Sequence, residues 1–166
     1  TVEAVARENG SVIASLPSDG VAVFPAGDAY TALWRELAEG RQCLLFGEAA
    51  EGAAVSANDV AWSAGAWSFD LGTPAGSVAV RLHTAGRHNV RNALAAAASA
   101  LAAGVPLAAI AEGLSRFEPV QGRSRALSVA VAGRQITVVD DTYNANPDSV
   151  AAAIAVYHYT LIRGRD

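Results

Sequence analysis

The stretch from Gly86 to Leu101, Gly-Arg-His-Asn-Val-Arg-Asn-Ala-Leu-Ala-Ala-Ala-Ala-Ser-Ala-Leu, constrains this chain more than any other. Alanine has the most favourable helix propensity, and Val90, Leu94, Ala97 and Leu101 recur at helical spacing. The sequence therefore predicts a buried helix that starts near His88 or Asn89 and stops at Gly104 and Pro106. Asn89 and Asn92, three apart, share one face of its first turn, where unpaired backbone N–H groups and the positive end of the helix dipole lie. A side-chain amide sets a donor beside an acceptor, which matches the Hoogsteen edge of adenine. The same residues equally suit a structural role, with Asn89 as N-cap, Asn92 in a solvated first turn and His88 in the preceding loop.

Composition decides which classes of function remain. With 52% hydrophobic and 17% charged residues in 166, the chain has the balance of a core-forming protein rather than a disordered one. A net charge of -4 provides no electrostatic footprint for nucleic acid or an anionic membrane, and neither is expected as a partner. No apolar run reaches the roughly 18 residues of a membrane span. The single Cys43 excludes an internal disulfide and reads as a buried thiol, so a reducing, cytoplasmic setting is expected. All 12 basic residues are arginine. A phosphate loop of the GxxxxGK[ST] type needs a lysine, so none can lie in this chain.

From its start, the chain has a partly apolar pattern at Val2, Val5, Ala6, Val12 and Ile13, interrupted at Asn9-Gly10, which predicts one helix followed by a second short element. Val21 to Pro25 and Gln42 to Gly47 are short apolar strands, and a helix begun by Asp28 and ended by Gly40 joins them, forming a parallel βαβ unit. The pattern then alternates apolar and polar over 54 to 60, 67 to 71 and 77 to 82, as in half-exposed antiparallel strands; Trp62 and Trp67 read as packing residues. A second helix follows from Pro106 to about Phe117. Residues 117 to 123 form a linker, and Leu127 to Val131 with Gln135 to Val139 form a hairpin around Gly133, ending at Asp140-Asp141. Carboxylates there stand at the strand edge where open α/β sheets take ligands, although capping and turn duties also account for them. In the loop after them, Asn146 suits a helix cap with Pro147 in its first turn.

Three segments, in this order and spacing, carry a resemblance: 86 to 98, Phe-Glu-Pro-Val-Gln-Gly-Arg at 117 to 123, and Asp-Asp-Thr-Tyr-Asn-Ala-Asn-Pro-Asp-Ser at 140 to 149. Together they resemble the ATP-dependent Mur ligases of peptidoglycan synthesis over roughly residues 1 to 156. The Tyr-Asn-Ala-Asn form is similar to the branch that joins D-alanyl-D-alanine to UDP-N-acetylmuramoyl-tripeptide, rather than to sibling branches or the folylpolyglutamate synthetases.

The resemblance implies an α/β fold: residues 1-117 as part of the central ATP-binding domain without its P-loop, with a parallel βαβ unit, a small antiparallel sheet and a helical pair, and residues 118-166 as the start of a Rossmann-like C-terminal domain. It implies ATP and Mg2+ as cofactors of the full-length enzyme, with Asn92 and Asn89 at the adenine, Arg123 and Asp141 on the ribose and phosphate side, and His88 completing the motif. Tyr143, Asn144 and Asn146 are candidate substrate contacts. The implied chemistry is phosphorylation of the tripeptide carboxylate, attack by the dipeptide amine, and release of ADP and phosphate. The family's P-loop lysine and its carbamylated, magnesium-associated lysine have no counterpart here, so no catalytic or metal-ligating residue is expected in the chain itself. Residues 157 to 166 do not resemble the helix and strand expected next, and the chain reads as an internal fragment. The competing expectations are a catalytically silent nucleotide-binding or interaction module without the P-loop, or another Mur ligase or folylpolyglutamate synthetase branch.

Overall fold

The computed structural model describes residues 1–48, 52–120, 122, 125–140, 150, 151 and 154. Helix α1 (Val2–Ala14) leads into strand β1 (Val21–Pro25), helix α2 (Thr31–Leu37) and strand β2 (Gln42–Gly47). Strands β3 (Val55–Ser63), β4 (Ala66–Thr73) and β5 (Gly76–Leu82) follow, then helices α3 (His88–Ala102) and α4 (Leu107–Ser115), and a hairpin of β6 (Arg125–Val131) and β7 (Arg134–Asp140).

The expected parallel pair forms, with Val21 opposite Gln42 through Pro25 opposite Phe46. The antiparallel strands do not stand apart from it. β3 adds to β2 in parallel through Phe46↔Val55 and Gly47↔Ser56, and β4 and β5 then continue antiparallel, so that one sheet runs β1-β2-β3-β4-β5. Because neighbouring side chains of a strand point to opposite faces, Leu44 and Leu45 belong to different cores. Leu44 joins Val55, Phe69, Leu71 and Val80 beneath α3 and α4; Leu45 joins Ile13, Ala22, Phe24 and Ala38 beneath α1 and α2. Helices on both faces explain why β1 and β2 are apolar apart from the exposed Gln42 that opens β2, whereas β3 carries Asn58 and Asp59 exposed within it.

Two helices depart from the sequence expectation. α1 is one helix that runs through Asn9-Gly10. Gly10 marks a close approach rather than a break: a Cβ there would lie 2.5 Å from Leu37 Cδ1 and 3.1 Å from Trp34 Cδ1 of α2. α2 begins at Thr31, three residues beyond Asp28, because Asp28 is used in the turn ahead of it. Its Oδ1 accepts from the Tyr30 N–H at 2.9 Å, and its own N–H donates to Thr31 Oγ1 at 3.1 Å. Cys43 is half-buried against the α1–α2 core rather than fully enclosed.

Arg41 joins the ends of these two helices. Its guanidinium donates to the carbonyls of Leu16 (3.0 Å), Pro17 (3.2 Å), Ala38 (3.1 Å) and Ala14 (3.4 Å). Two of these, Ala14 at the end of α1 and Ala38 at the C-cap of α2, stand where carbonyls lack helical partners and a cation is favoured. Trp62 and Trp67 pack with ring centroids 5.1 Å apart, and Trp67 is buried.

In the hairpin, Val131 faces Arg134 across a two-residue turn. Ala132 and Gly133 both have positive φ, 49° and 75°, as a turn matched to strand twist requires. Among the described residues, neither hydrophobic core draws on β6 or β7, which form a two-stranded sheet of their own.

Candidate functional site

The head of α3 is built by the turn before it. Gly86 takes φ +84°, and its carbonyl accepts from the Asn89 N–H at 3.0 Å, so the first helical turn already closes on Gly86. Arg87 occupies the N-cap position without a side-chain cap bond, and Asn89 lies inside the helix rather than capping it. Val90, Ala93, Leu94, Ala97 and Ala98 are buried, which fixes the rotation of the helix and leaves Asn92 exposed at its head.

The two amides have different surroundings. Asn89 is half-buried, and its Nδ2 donates to Ala85 O at 2.6 Å and to the buried Thr84 Oγ1 at 3.3 Å. Asn92 Nδ2 donates to Asn89 Oδ1 at 3.0 Å. One hydrogen of the Asn92 amide is thereby engaged, and a second N–H and Oδ1 are left for another partner. An exposed amide of this kind has the donor and acceptor chemistry of an adenine contact. The phosphate end of ATP is not matched in the same way, since the chain has no lysine. Among the described residues no group of three or more His, Cys, Asp or Glu is placed to hold a metal ion.

His88 stands elsewhere on the helix head. With Arg87 and Arg91 it lines a cleft of about 740 Å³ whose opposite wall is the end of β2 and the middle of β3, including Glu48, Asn58 and Asp59. Arg87 Nη2 and Glu48 Oε1 are 3.6 Å apart, both largely exposed. The register of β3 against β4 slips between Asn58 and Ala61, and Asp59 there has φ +52°, a bulge that turns its side chain out of the strand alternation. Sequence reading did not single out this cleft. The i, i+4 spacing of Arg87 and Arg91 was its only local signal; Glu48 and Asp59 come from distant segments.

Of the remaining candidates, Arg123, Asp141, Tyr143, Asn144 and Asn146 lie outside the described residues. Their neighbour Asp140 is engaged structurally: its Oδ2 accepts from the Gly122 N–H at 3.0 Å, which pins the end of the linker to the end of β7. Gly122 has φ +80°, a conformation glycine adopts without strain.

Residues 1–100 match the Mur ligase middle domain. The chain is 36% identical over 152 residues to the Escherichia coli UDP-N-acetylmuramoyl-tripeptide–D-alanyl-D-alanine ligase, covering 92% of this chain and 33% of that protein. A Geobacillus thermodenitrificans UDP-N-acetylmuramoyl-L-alanyl-D-glutamate–2,6-diaminopimelate ligase is 40% identical, but over 100 residues only, 60% of this chain and 20% of its own. Among solved structures, the UDP-N-acetylmuramoylalanyl-D-glutamyl-2,6-diaminopimelate–D-alanyl-D-alanyl ligase of Acinetobacter baumannii superposes with a TM-score of 0.80 at 39% identity, covering 92% of this chain and 32% of that one. The chain spans about a third of the length of the Escherichia coli and Acinetobacter baumannii relatives.

Proposed function

The chain belongs to the Mur ligase family, and from that membership we propose that it is a segment of the ATP-dependent ligase that joins D-alanyl-D-alanine to UDP-N-acetylmuramoyl-tripeptide. One observation carries the choice of branch. Sequence similarity to the Escherichia coli dipeptide-adding enzyme runs through 92% of the chain, into the hairpin region, whereas that to the Geobacillus diaminopimelate-adding enzyme covers 60% despite its higher identity; a diaminopimelate-adding ligase does superpose on 95% of the chain, but at 25% identity. Substrate-specific differences are expected where siblings cease to match.

In this reading Asn92 holds the adenine edge and Asn89 orients Asn92. Bound ATP would supply the phosphoryl group that activates the tripeptide carboxylate, and this chain contributes positioning at the base. The neutralisation of phosphate charge that such a transfer needs, from backbone N–H groups, a lysine and magnesium, belongs to parts of the ligase beyond these 166 residues. Residues 1-117 act as part of the central domain, and residues 118-166 open the second body; the separate sheet of β6 and β7 and the Gly122–Asp140 bond at the joint support that division. Arg123 and Asp141 complete the nucleotide contacts from that second body, and Tyr143, Asn144 and Asn146 meet substrate.

The test is phosphate release by the full-length ligase carrying this segment. Release is expected with ATP, UDP-N-acetylmuramoyl-tripeptide and D-alanyl-D-alanine together, and not when either peptide substrate is withheld. Release with free diaminopimelate and the dipeptide-stage nucleotide precursor instead would move the chain to the sibling branch. Absence of turnover with either set would favour a silent module.

A further inference from the structure

The cleft beside α3 has walls of opposite charge. Glu48 and Asp59 stand on the sheet side, Arg87 and Arg91 on the helix side, and Val60, Val90 and Leu94 line it as well. Arg87 and Glu48 are within 3.6 Å of each other. Among the described residues, Arg91 and Asp59 enter no ion pair. The bulge that presents Asp59 here does so at a left-handed backbone position, which aspartate tolerates better than most residues. A volume of about 740 Å³ lies within the range of small-molecule sites.

Among the described residues that line it, two guanidinium groups face two carboxylates, so their formal charges balance. A polyanion such as a nucleotide phosphate would gain from one wall and be repelled by the other. A ligand that carries both signs satisfies both walls at once. We propose that this cleft binds the zwitterionic end of a peptide or amino acid, its carboxylate on Arg91 and its ammonium on Asp59, with the apolar lining against its side chain. The assignment rests on the ligase reading above, which supplies two such groups: free D-alanyl-D-alanine, and the diaminopimelate end of the tripeptide.

The experiment is an NMR titration of the full-length ligase carrying this segment, 15N-labelled, following the backbone amides of residues 57–60 and 87–94. The ligands are D-alanyl-D-alanine, meso-diaminopimelate, N-acetyl-D-alanyl-D-alanine, D-alanyl-D-alaninamide and inorganic phosphate. One of the two zwitterions is expected to give saturating shifts, and that one names the source. For the dipeptide, blocking either end is expected to weaken binding at least tenfold. Arg91→Gln and Asp59→Asn are each expected to weaken it by a similar factor; asparagine also tolerates the left-handed position, so the bulge survives the second change. No saturable shift with either zwitterion, an equal response to the blocked forms, or a response to phosphate instead would overturn the proposal. The ligase reading fails separately, in the phosphate-release assay: a chain that binds a zwitterion here in a protein that does not ligate keeps the cleft and loses the reaction, and the converse loses only the cleft.

Discussion

Asn92 donates to Asn89 Oδ1 at 3.0 Å, and Asn89 passes its own donor back to Ala85 O at 2.6 Å. The pair is a short chain of amides that ends in the turn before α3, with only its outer member exposed. The two residues should therefore fail differently. In the full-length ligase, Asn92→Ala should leave stability nearly unchanged and cost about 1–3 kcal/mol of discrimination for ATP over GTP, the worth of a bidentate amide on a base. Asn89→Ala should lower stability by about 0.5–1.5 kcal/mol through the lost bond to Ala85 O, and weaken ATP less. Nucleotide competition and urea midpoints measured on both variants separate the roles; equal loss for ATP and GTP in Asn92→Ala would leave that residue no part in base recognition.

Arg41 is expected to be the most costly surface-adjacent arginine to replace. Its guanidinium reaches four carbonyls at the ends of α1 and α2, and its side chain is only 16% exposed. Arg41→Ala should destabilise by about 1.5–3 kcal/mol, the usual range for bonds to a charged group. Arg41→Lys should recover only part of that, since an ammonium lacks the planar fork that spans several carbonyls. A urea midpoint for the lysine variant equal to that of the parent would show that charge at the helix ends, and not the fork, matters.

Two glycines in helices should respond in opposite directions. Gly10→Val places a branched side chain against Leu37 and Trp34, and overpacking of this kind costs about 1–3 kcal/mol. Trp34 cannot easily yield, because its Nε1 donates to Ala6 O at 3.0 Å. Gly113 is exposed within α4, and a Cβ there meets nothing within 4 Å, so Gly113→Ala should stabilise by about 0.5–1 kcal/mol. Thermal melts of the pair test this; a raised midpoint for Gly10→Val would contradict the packing described for Gly10, and a lowered one for Gly113→Ala would contradict the open space at that position.

The chain on its own should not ligate and should bind Mg-ATP weakly at best. Asn92 can meet the base, but an in-line phosphoryl transfer needs the γ-phosphate held and its charge neutralised, and 12 arginines spread along a net acidic chain are not a phosphate loop. Calorimetric titration with Mg-ATP, with phosphate release measured in the presence of both peptide substrates, checks it. Micromolar affinity or turnover above blank would show that no lysine is required.

Local periodicity carried a large part of the fold. α3 begins at His88 because its apolar spacing is helical whatever it packs against, and β1, β2 and the hairpin turn at Ala132-Gly133 follow from equally short-range patterns. Asn89 and Asn92 were legible for the same reason, being three residues apart on one turn. What required the tertiary structure was each feature made by segments far apart in the chain. Asn9-Gly10 looks like a break until Trp34 and Leu37 are packed on it; β3 looks like part of a separate sheet until Val55 pairs with Phe46. Glu48, Asp59 and Arg91 have no common pattern in sequence and form one cleft only because the β3 bulge and the buried face of α3 orient them. Short-range spacing encodes which face of an element is apolar, but the partner of that face is chosen by long-range packing, and so the placement of Asn89 and Asn92 on one helical turn could be read from the sequence while the cleft beside them could not.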